Sequence, residues 1–432
     1  MYMRWNELGL EQGRDLDYKI EMARRAIADA LQVSHHRLAL AFSAGKDSTV
    51  LADMIRRYFP DLWSRLLLIY GNTGVEYPEC VAFWRRVVRE WGLGTRAHEA
   101  RPGSTSEPGY RYDAQRQIWQ WAIQAGRIGE VLKADGKLKS TRALERLGIE
   151  MPGGDTGVTQ GDTLPTWPAG TRKTYWWCID QYGWPLLGKA WSKLKARRIN
   201  IDTFLRFSES QSDDPKLLAY YEILRQVKIS QACCDILKKE PAQQVQAEID
   251  VDVIFKGLMA SESRSRAKNF LSRGYLFEGA KQDYLAGDPF FHCQPMAIWM
   301  DEDVWSYIRR FDVPYSSLYD MGYVDSAGTR HRIKRNGCMG CATDLLFPNN
   351  HMAMLRRTHN KAWSVFMRRG MATEIQKLQR VQRNGQLSLF DVFDAEELLE
   401  RRPCIFDSIN QMILEDDTMD EDDLGFDPEM DR

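Results

Sequence analysis

The stretch that decides the fold is HRLALAFSAGKDSTVLADMIRRYF, residues 36–59. Its apolar run ends at Phe42 and shows no polar alternation, which predicts a buried parallel strand. Ser43, Ala44 and Gly45 then make a tight turn, and Val50, Leu51, Met54 and Ile55 recur at helical spacing. Strand, loop and helix form one βα unit. A second unit follows, LLLIY at 66–70 and then GNTGVEYPECVAFWRRVVREW at 71–91, and residues 16–32 before the first read as an amphipathic helix. Two βα units in succession predict an α/β fold, an open and mostly parallel sheet flanked by helices, with ligands at the carboxyl ends of its strands.

The loop between the first strand and its helix has the physics of an anion site. Ser43-Ala44-Gly45-Lys46-Asp47-Ser48 is not the G-x-x-x-x-G-K-[ST] loop, because the first glycine is missing and Asp47 stands between Lys46 and Ser48. Small residues still let the backbone approach a phosphate, and the N–H groups opening a helix lack partners inside it. Lys46 adds a full positive charge, and the Ser43 and Ser48 hydroxyls can donate to phosphate oxygens. The plainer alternative is a helix start that simply holds Ser and Gly.

Further out the pattern changes. Residues 101–225 read as a mainly helical insertion broken by MPGGDTGVTQGDTLPTWPAG at 151–170. It carries Trp167, Trp176, Trp177, Trp184 and Trp191 and the basic run KLKARR at 193–198. The α/β pattern resumes with VDVIFKG at 251–257, MASESRSRAKNFLSRG, and QPMAIWMDEDVWSYIRRF, where Asp301 is expected to cap a helix containing Val304, Trp305 and Ile308. This gives five regions: 1–100, 101–225, 226–345, a helical region at 346–413, and an acidic, disordered tail at 414–432. No internal repeat is found.

Composition bounds the class. The chain has 432 residues, 44% hydrophobic and 28% charged, as expected of a globular protein able to bury a sizeable core. No apolar stretch is long enough to span a membrane and the start lacks a signal-peptide pattern, which implies a cytoplasmic protein without membrane partners. The net charge of −1 is a cancellation: residues 415–432 hold ten acidic residues and one basic, leaving the first 414 at net +8. Eight cysteines in such a chain point to metal or redox chemistry, not a disulfide framework. The pair Cys233-Cys234 and the C-x-x-C pair Cys338 and Cys341 stand out. A C-x-x-C alone fits zinc, a cluster or free thiols. Cys178 and Cys293 are candidate persulfide carriers or resolving thiols, with a buried apolar thiol as the plainer reading; Cys80 and Cys404 read as structural.

The loop resembles the S-G-G-K-D-S loop of the PP-loop ATP pyrophosphatases, and the chain as a whole is similar to their phosphoadenosine phosphosulfate reductase branch. Four further blocks carry this: Asn72 to Glu79, like D-T-G-x-x-F-P-E; Gly257 to Ser263 with Arg266, like G-x-R-x-x-E-S-x-x-R; Pro295 to Ile308, like P-I-x-x-W-x-x-x-D-V-W-x-Y-I; and Val313-Pro314-Tyr315 through Tyr319, with Gly322-Tyr323 before the C-x-x-C. The resemblance implies an adenine nucleotide alpha-hydrolase-like fold that binds ATP with Mg2+. Ser43, Ala44, Gly45, Lys46, Asp47, Ser48 and Thr49 would hold the β,γ-pyrophosphate. Asn72, Thr73, Gly74 and Glu76, with Gly257, Glu262 and Ser263, would line the nucleotide pocket. Lys46, Asp47 and Arg266 would be catalytic. The four cysteines resemble the C-C…C-x-x-C set that holds a [4Fe-4S] cluster in part of the branch. Two positions depart from the pattern: Ala44 replaces a glycine, costly if its φ is positive, and Asn72 replaces an aspartate.

The chain has no E-C-G-x-H motif, which supplies the nucleophile of the reductases, and it keeps Lys46-Asp47-Ser48, which they have lost. Both point to an ATP-dependent adenylating enzyme. A retained loop with an iron–sulfur set resembles the DndC-type enzymes of DNA phosphorothioation, implying DNA as acceptor, a cysteine desulfurase as sulfur donor and other modification-complex subunits. Arg172, Lys173, Lys189, Lys193, Lys195, Arg197 and Arg198 interleave with tryptophans on which bases could stack; a solvated charged face over a Trp core is the alternative. The acidic tail could compete for a basic surface. A sulfonucleotide reductase of sulfate assimilation and a non-catalytic ATP-binding regulator remain the other two readings.

Overall fold

The structure, a computed structural model, describes residues 2–106, 167, 169–186, 230–279, 290–324, 328–344 and 351–376. The chain forms two compact units. The first comprises Met1–Arg101 and Lys238–Cys338, the second Pro102–Leu237 and Met339–Arg432.

The first unit is built on a six-stranded sheet of order β3-β2-β1-β4-β6-β5. The strands are β1 (Arg37–Ala41), β2 (Leu67–Gly71), β3 (Ala97–Ala100), β4 (Val251–Lys256), β5 (Leu276–Glu278) and β6 (Phe291–Cys293). Every neighbouring pair is parallel except β5 and β6. The α/β expectation holds, and the physical reason is visible in β1: Leu38, Ala39 and Leu40 are all buried, so both faces must be covered. On one face Ala39, Leu67, Ile69, Val251, Ile254 and Phe290 form a continuous apolar cluster.

The helices of this unit are α1 (Trp5–Gln12), α2 (Leu16–Val33), α3 (Lys46–Tyr58), α4 (Pro60–Arg65) and α5 (Pro78–Glu90), then α7 (Glu240–Glu248), α8 (Arg264–Arg273) and α9 (Asp301–Phe311). Asp15 caps α2 by accepting from Tyr18 N–H at 2.8 Å, and Pro78 opens α5 where a missing N–H costs nothing. Buried Asp53 locks α3 to α9, accepting from Arg56 at 2.9 Å, Arg57 at 3.2 Å and the Tyr307 hydroxyl at 3.2 Å. Asp301 does not cap α9. That role falls to Asp303, which accepts from Met300 N–H at 2.7 Å and also pairs with buried Lys19 at 2.6 Å. Asp301 is the first helical residue, and its carboxylate is used elsewhere.

In the second unit, α6 (Tyr175–Tyr182) is capped by Thr174, and α10 (His351–Thr358) and α11 (Asn360–Phe366) belong to the helical region expected after 346. Trp176, Trp177 and Trp184 are buried, Trp176 packs on Phe366 at 5.5 Å between ring centroids, and the Tyr175 hydroxyl donates to Gly340 O at 2.6 Å. These tryptophans are core residues and offer no open face to a base. Lys189, Trp191, the 193–198 basic run, the Gly/Pro-rich stretch at 151–166 and the acidic tail lie outside the described residues. Among the described residues no helix is long and apolar enough to cross a membrane.

Candidate nucleotide-phosphate site

Strand order dictates where a ligand sits. β1 is followed by β2 and β3 on one side, while β4 pairs with its other edge, so the β1/β4 boundary is the sheet's topological switch point. In open α/β sheets the carboxyl ends of strands at such a point are where ligands bind. The loop after β1 is residues 42–45, leading into α3, and the loop after β4 starts at Gly257. Two sequence blocks separated by some two hundred residues thus meet at one place.

They meet closely. A Cβ on Gly257 would lie 3.0 Å from Asp47 C, Asp47 O and Ser48 N, so only glycine lets the end of β4 lie against the first turn of α3. The loop itself is strained at one residue. Ala44 has φ +56° and is fully buried, so the position usually held by glycine does require the left-handed region, and the methyl group is accommodated at a cost. The turn is held by hydroxyls: Ser48 Oγ donates to Gly45 O at 3.0 Å, Thr49 Oγ1 donates to the same oxygen at 2.9 Å, and Gly45 N–H donates to Ser43 Oγ at 3.2 Å. Asp47 and Ser48 contribute first-turn N–H groups with no acceptor inside the helix.

Lys46 is the charged centre. It is 3% exposed, and its Nζ lies 2.7 Å from Asp47 Oδ1 and 2.7 Å from Asp301 Oδ1. Its backbone N–H donates to the Tyr319 hydroxyl at 3.1 Å, and burial raises that phenol's pKa, so it stays protonated. Asn336 reaches over the turn and donates from Nδ2 to Ser43 O at 2.6 Å. Beside it, Glu262 accepts from Met259 N–H at 3.0 Å and pairs with Arg266, while Arg335 donates to Glu262 O at 2.9 Å. Desolvation and the neighbouring Arg335 charge lower the Arg266 pKa, against the pull of Asp47. Ser263 caps α8 by accepting from Arg266 N–H at 3.2 Å. The cluster therefore combines Lys46, Arg266 and Arg335 with three carboxylates, which a polyphosphate could enter by exchange of partners.

The 72–76 turn, expected to line the nucleotide pocket, is held by its own polar contacts. Asn72 Nδ2 donates to Glu99 Oε1 at 2.5 Å and its Oδ1 accepts from Gly74 N–H at 2.9 Å. The amide accounts for the departure from aspartate: it donates to a carboxylate that a second carboxylate would repel. Glu99, also bonded to Arg101, has its pKa lowered by these partners against the opposing effect of burial. Thr73 Oγ1 donates to Glu76 Oε1 at 3.0 Å and lies 3.4 Å from Cys338 Sγ, and Glu76 bridges Cys338 through the backbone. Thr73 and Glu76 are buried, so the turn clasps the start of the C-x-x-C.

The cysteines divide by accessibility. Cys80, Cys178 and Cys293 are buried; Cys233, Cys234, Cys338 and Cys341 are half-buried. Burial pushes the Cys80 thiol up to about 12 and raises Cys293 too, whose Sγ lies 3.4 Å from Ala26 O. Burial disfavours the reactive thiolate at both positions. Cys338 belongs to the first unit, with Thr73 and Glu76. In the second, Cys341 interacts electrostatically with Cys234 and hydrogen-bonds Thr343 at 3.4 Å. Among the described residues no group of three or more Cys, His, Asp or Glu is disposed to hold a metal ion. Cys404 lies outside the described residues.

Sequence reasoning missed Asp301 as a partner of Lys46, and it missed Tyr319, Asn336 and Arg335 as parts of the loop's surroundings. Tyr319 stood inside a quoted block; Asn336 and Arg335 adjoin the C-x-x-C, and nothing local marked them.

Comparison with known proteins gives a consistent family. The model of the phosphoadenosine phosphosulfate reductase domain matches residues 37–151 and 192–343, more than half of the chain. A phosphoadenosine 5'-phosphosulfate reductase of Xanthomonas axonopodis pv. citri is 33% identical over 103 residues, 23% of this chain and 36% of that protein. An adenosine 5'-phosphosulfate reductase of Burkholderia cepacia is 32% identical over 107 residues, 25% of this chain and 37% of the relative. The chain thus spans little more than a third of the length of these curated relatives. The crystal structure of a phosphoadenylyl-sulfate reductase from Candida auris, in its phosphate complex, aligns over 78% of this chain at 13% identity with a TM-score of 0.32, so the fold rests on the strand order itself. With the family model covering the loop, the β4 block and the C-x-x-C, the chain belongs to the phosphoadenosine phosphosulfate reductase domain family.

Proposed function

We propose that the 43–48 loop binds the polyphosphate of an adenine nucleotide, and that the protein is a cytoplasmic enzyme cleaving ATP between the α- and β-phosphates to adenylate an acceptor in sulfur transfer to nucleic acid. The observation that carries this reading is Lys46, buried at the helix start beside the switch point with carboxylates on either side. An acceptor oxygen attacks the α-phosphorus, the α–β bond breaks, and pyrophosphate leaves with the charge that Lys46 and the first-turn N–H groups stabilise. Asp47 and Asp301 are the carboxylates beside that position that would hold Mg2+, which supplies further neutralisation of the phosphates when bound. The nucleic-acid reading makes DNA the acceptor and leaves the sulfur to a desulfurase-loaded donor.

The further proposal of a [4Fe-4S] cluster rests on the ligand chemistry of the Cys233-Cys234 pair and of the C-x-x-C pair Cys338 and Cys341. Anaerobic protein should contain iron and acid-labile sulfide, reduced in Cys338→Ser; stoichiometric zinc without sulfide would make the set structural.

A second reading, a sulfonucleotide reductase, is favoured by the names of the relatives, more than the adenylating reading is. Against it stands the burial of Cys80, Cys178 and Cys293, which leaves no accessible nucleophilic thiol among the described residues outside the four-cysteine set. One experiment separates the readings: anaerobic protein with ATP and Mg2+, with and without DNA, assayed for pyrophosphate, beside sulfonucleotide with a thiol reductant, assayed for sulfite. Pyrophosphate lost in Lys46→Ala supports adenylation. Sulfite without ATP turnover establishes the reductase, and nucleotide binding with neither product leaves a regulator.

A further inference from the structure

The described residues place a basic strip beside the phosphate loop. Strands β7 (Gly322–Val324) and β8 (Arg330–Arg332) form an antiparallel hairpin in the first unit, with Tyr323 stacked on His331 at 4.9 Å between ring centroids. Along the outgoing arm, Arg330, Arg332 and Lys334 are exposed, while His331 is half-buried and Ile333 buried. The alternation puts three cations on one face of an extended chain, about 6.6 Å apart at two residues per repeat. That spacing is close to the separation of successive phosphates along a nucleic-acid strand. No acidic residue occurs from 328 to 336, nor from 263 to 274, which contributes exposed Arg264 and half-exposed Arg266. Arg335 and Arg266 share Glu262, which ties the two segments together, and the next residue, Asn336, hydrogen-bonds the loop carbonyl at Ser43. The strip is therefore joined through Arg335 and Asn336 to the proposed phosphate site, with Asp320, bonded to Tyr315 near Arg332, the carboxylate on its flank.

We propose that the hairpin face of Arg330, Arg332 and Lys334 binds the phosphodiester backbone of DNA and leads it to the 43–48 loop. The inference rests on the nucleic-acid reading above and names a surface for it, since Trp176, Trp177 and Trp184 are buried core residues. Contacts of this kind are to backbone charge, so they carry affinity and little sequence preference.

The test uses the full chain and a fluorescein-labelled 20-mer DNA, single-stranded and duplex, with anisotropy measured from 50 to 200 mM KCl in the absence of ATP. Each cation that neutralises a phosphate contributes about 0.7 to 0.9 to the slope of log K against log salt, or roughly fivefold in affinity near 0.15 M. The triple variant Arg330→Gln, Arg332→Gln, Lys334→Gln should therefore lose about two units of slope and on the order of a hundredfold in affinity, with unchanged ATP affinity by calorimetry. A charge-swap pair, Arg330→Glu with Arg332→Glu, should weaken binding further and keep the same melting temperature, as befits exposed positions. Wild-type DNA binding that survives both variants overturns the surface and leaves the nucleic-acid reading standing. Wild-type protein that binds ATP yet shows no DNA binding at 50 mM KCl overturns both. Equal loss of binding to polyglutamate would also overturn the proposal, assigning the face to acidic protein partners.

Discussion

Gly257→Ala probes the closest packing in the site. The new Cβ would meet three backbone atoms of α3, Asp47 C, Asp47 O and Ser48 N, each at 3.0 Å. Comfortable contacts between carbon atoms lie at about 3.5–4.0 Å, so the first turn of α3 must retreat by a few tenths of an ångström. No flexible side chain can absorb the shift. Overpacking of this kind costs about 1–3 kcal/mol, and the smaller conformational freedom of alanine in the unfolded chain returns about 0.4–1 kcal/mol, since Gly257 is not among the residues at positive φ. The net is on the order of 1 kcal/mol, or about 2–4 °C in melting temperature. Nucleotide affinity should suffer more. A displaced Ser48 N–H weakens a hydrogen bond to a charged oxygen that is worth roughly 1.5–3 kcal/mol, so ATP should bind about tenfold or more weakly. Differential scanning calorimetry and titration calorimetry read the two effects separately. Gly9→Ala is the control: it lies in α1 with nothing within 4 Å, and should raise stability by up to about 1 kcal/mol without touching affinity. An unaltered melting temperature with ATP affinity within twofold of wild type would refute the argument that β4 positions the loop by direct contact.

Asn72→Asp sets a carboxylate against Glu99, replacing a hydrogen bond of 2.5 Å by repulsion. It should cost about 2 kcal/mol at pH 7, and the deficit in urea denaturation should shrink toward pH 5 as the folded pair takes up a proton at a raised pKa; a pH-independent deficit would count against the pairing. Ala44→Gly relieves left-handed strain of about 1–2 kcal/mol but removes a buried methyl worth about 0.8 kcal/mol and adds unfolded-state freedom, so its stability should stay within about 1 kcal/mol of wild type. Ala44→Val, branched at the same φ, should lose at least about 2 kcal/mol by the same denaturation assay. His292 is held neutral, its pKa lowered to about 3 by burial and by the charges of Lys256 and Arg273. The unfolded chain binds the proton more readily, so stability is full above about pH 6.5 and falls by about 1.4 kcal/mol per unit as pH drops toward 3. His292→Gln should flatten that slope in denaturation series from pH 7 to 5.

What the sequence disclosed was local. The strand ending near Phe42, the turn at 43–45 and the helix over Val50, Leu51, Met54 and Ile55 follow from apolar runs and periodicity, and all form as expected. Asp301 shows the limit. Its place before an apolar helical pattern reads as a cap, yet Asp303 accepts the capping hydrogen bond and Asp301 turns to a lysine 255 positions earlier in the chain. Asn336 over Ser43 and Thr73 beside Cys338 are likewise fixed by tertiary folding, and no local propensity encodes them. The tryptophans of 176–184 could be read either way from spacing, and burial decides for core. The Ala44 substitution was legible as a question whose answer needed a backbone angle.

The partition of the sheet has a consequence for synthesis. β1 pairs on one edge with β2, which is complete by residue 71, but its other partner, β4, begins only at Val251. Until that strand leaves the ribosome, β1 stands as an open edge, a template for wrong pairing. The groups that fasten the phosphate loop arrive later still, Asp301, then Tyr319, then Asn336. A nascent chain released at about residue 250 would have made the strand, turn and helix of the loop and yet lack the distant partners Asp301, Tyr319 and Asn336. Such long-range closure slows folding. The proposed capacity to hold a nucleotide would therefore be among the last properties this unit acquires, and ATP added during refolding should act late, after the central strands have joined.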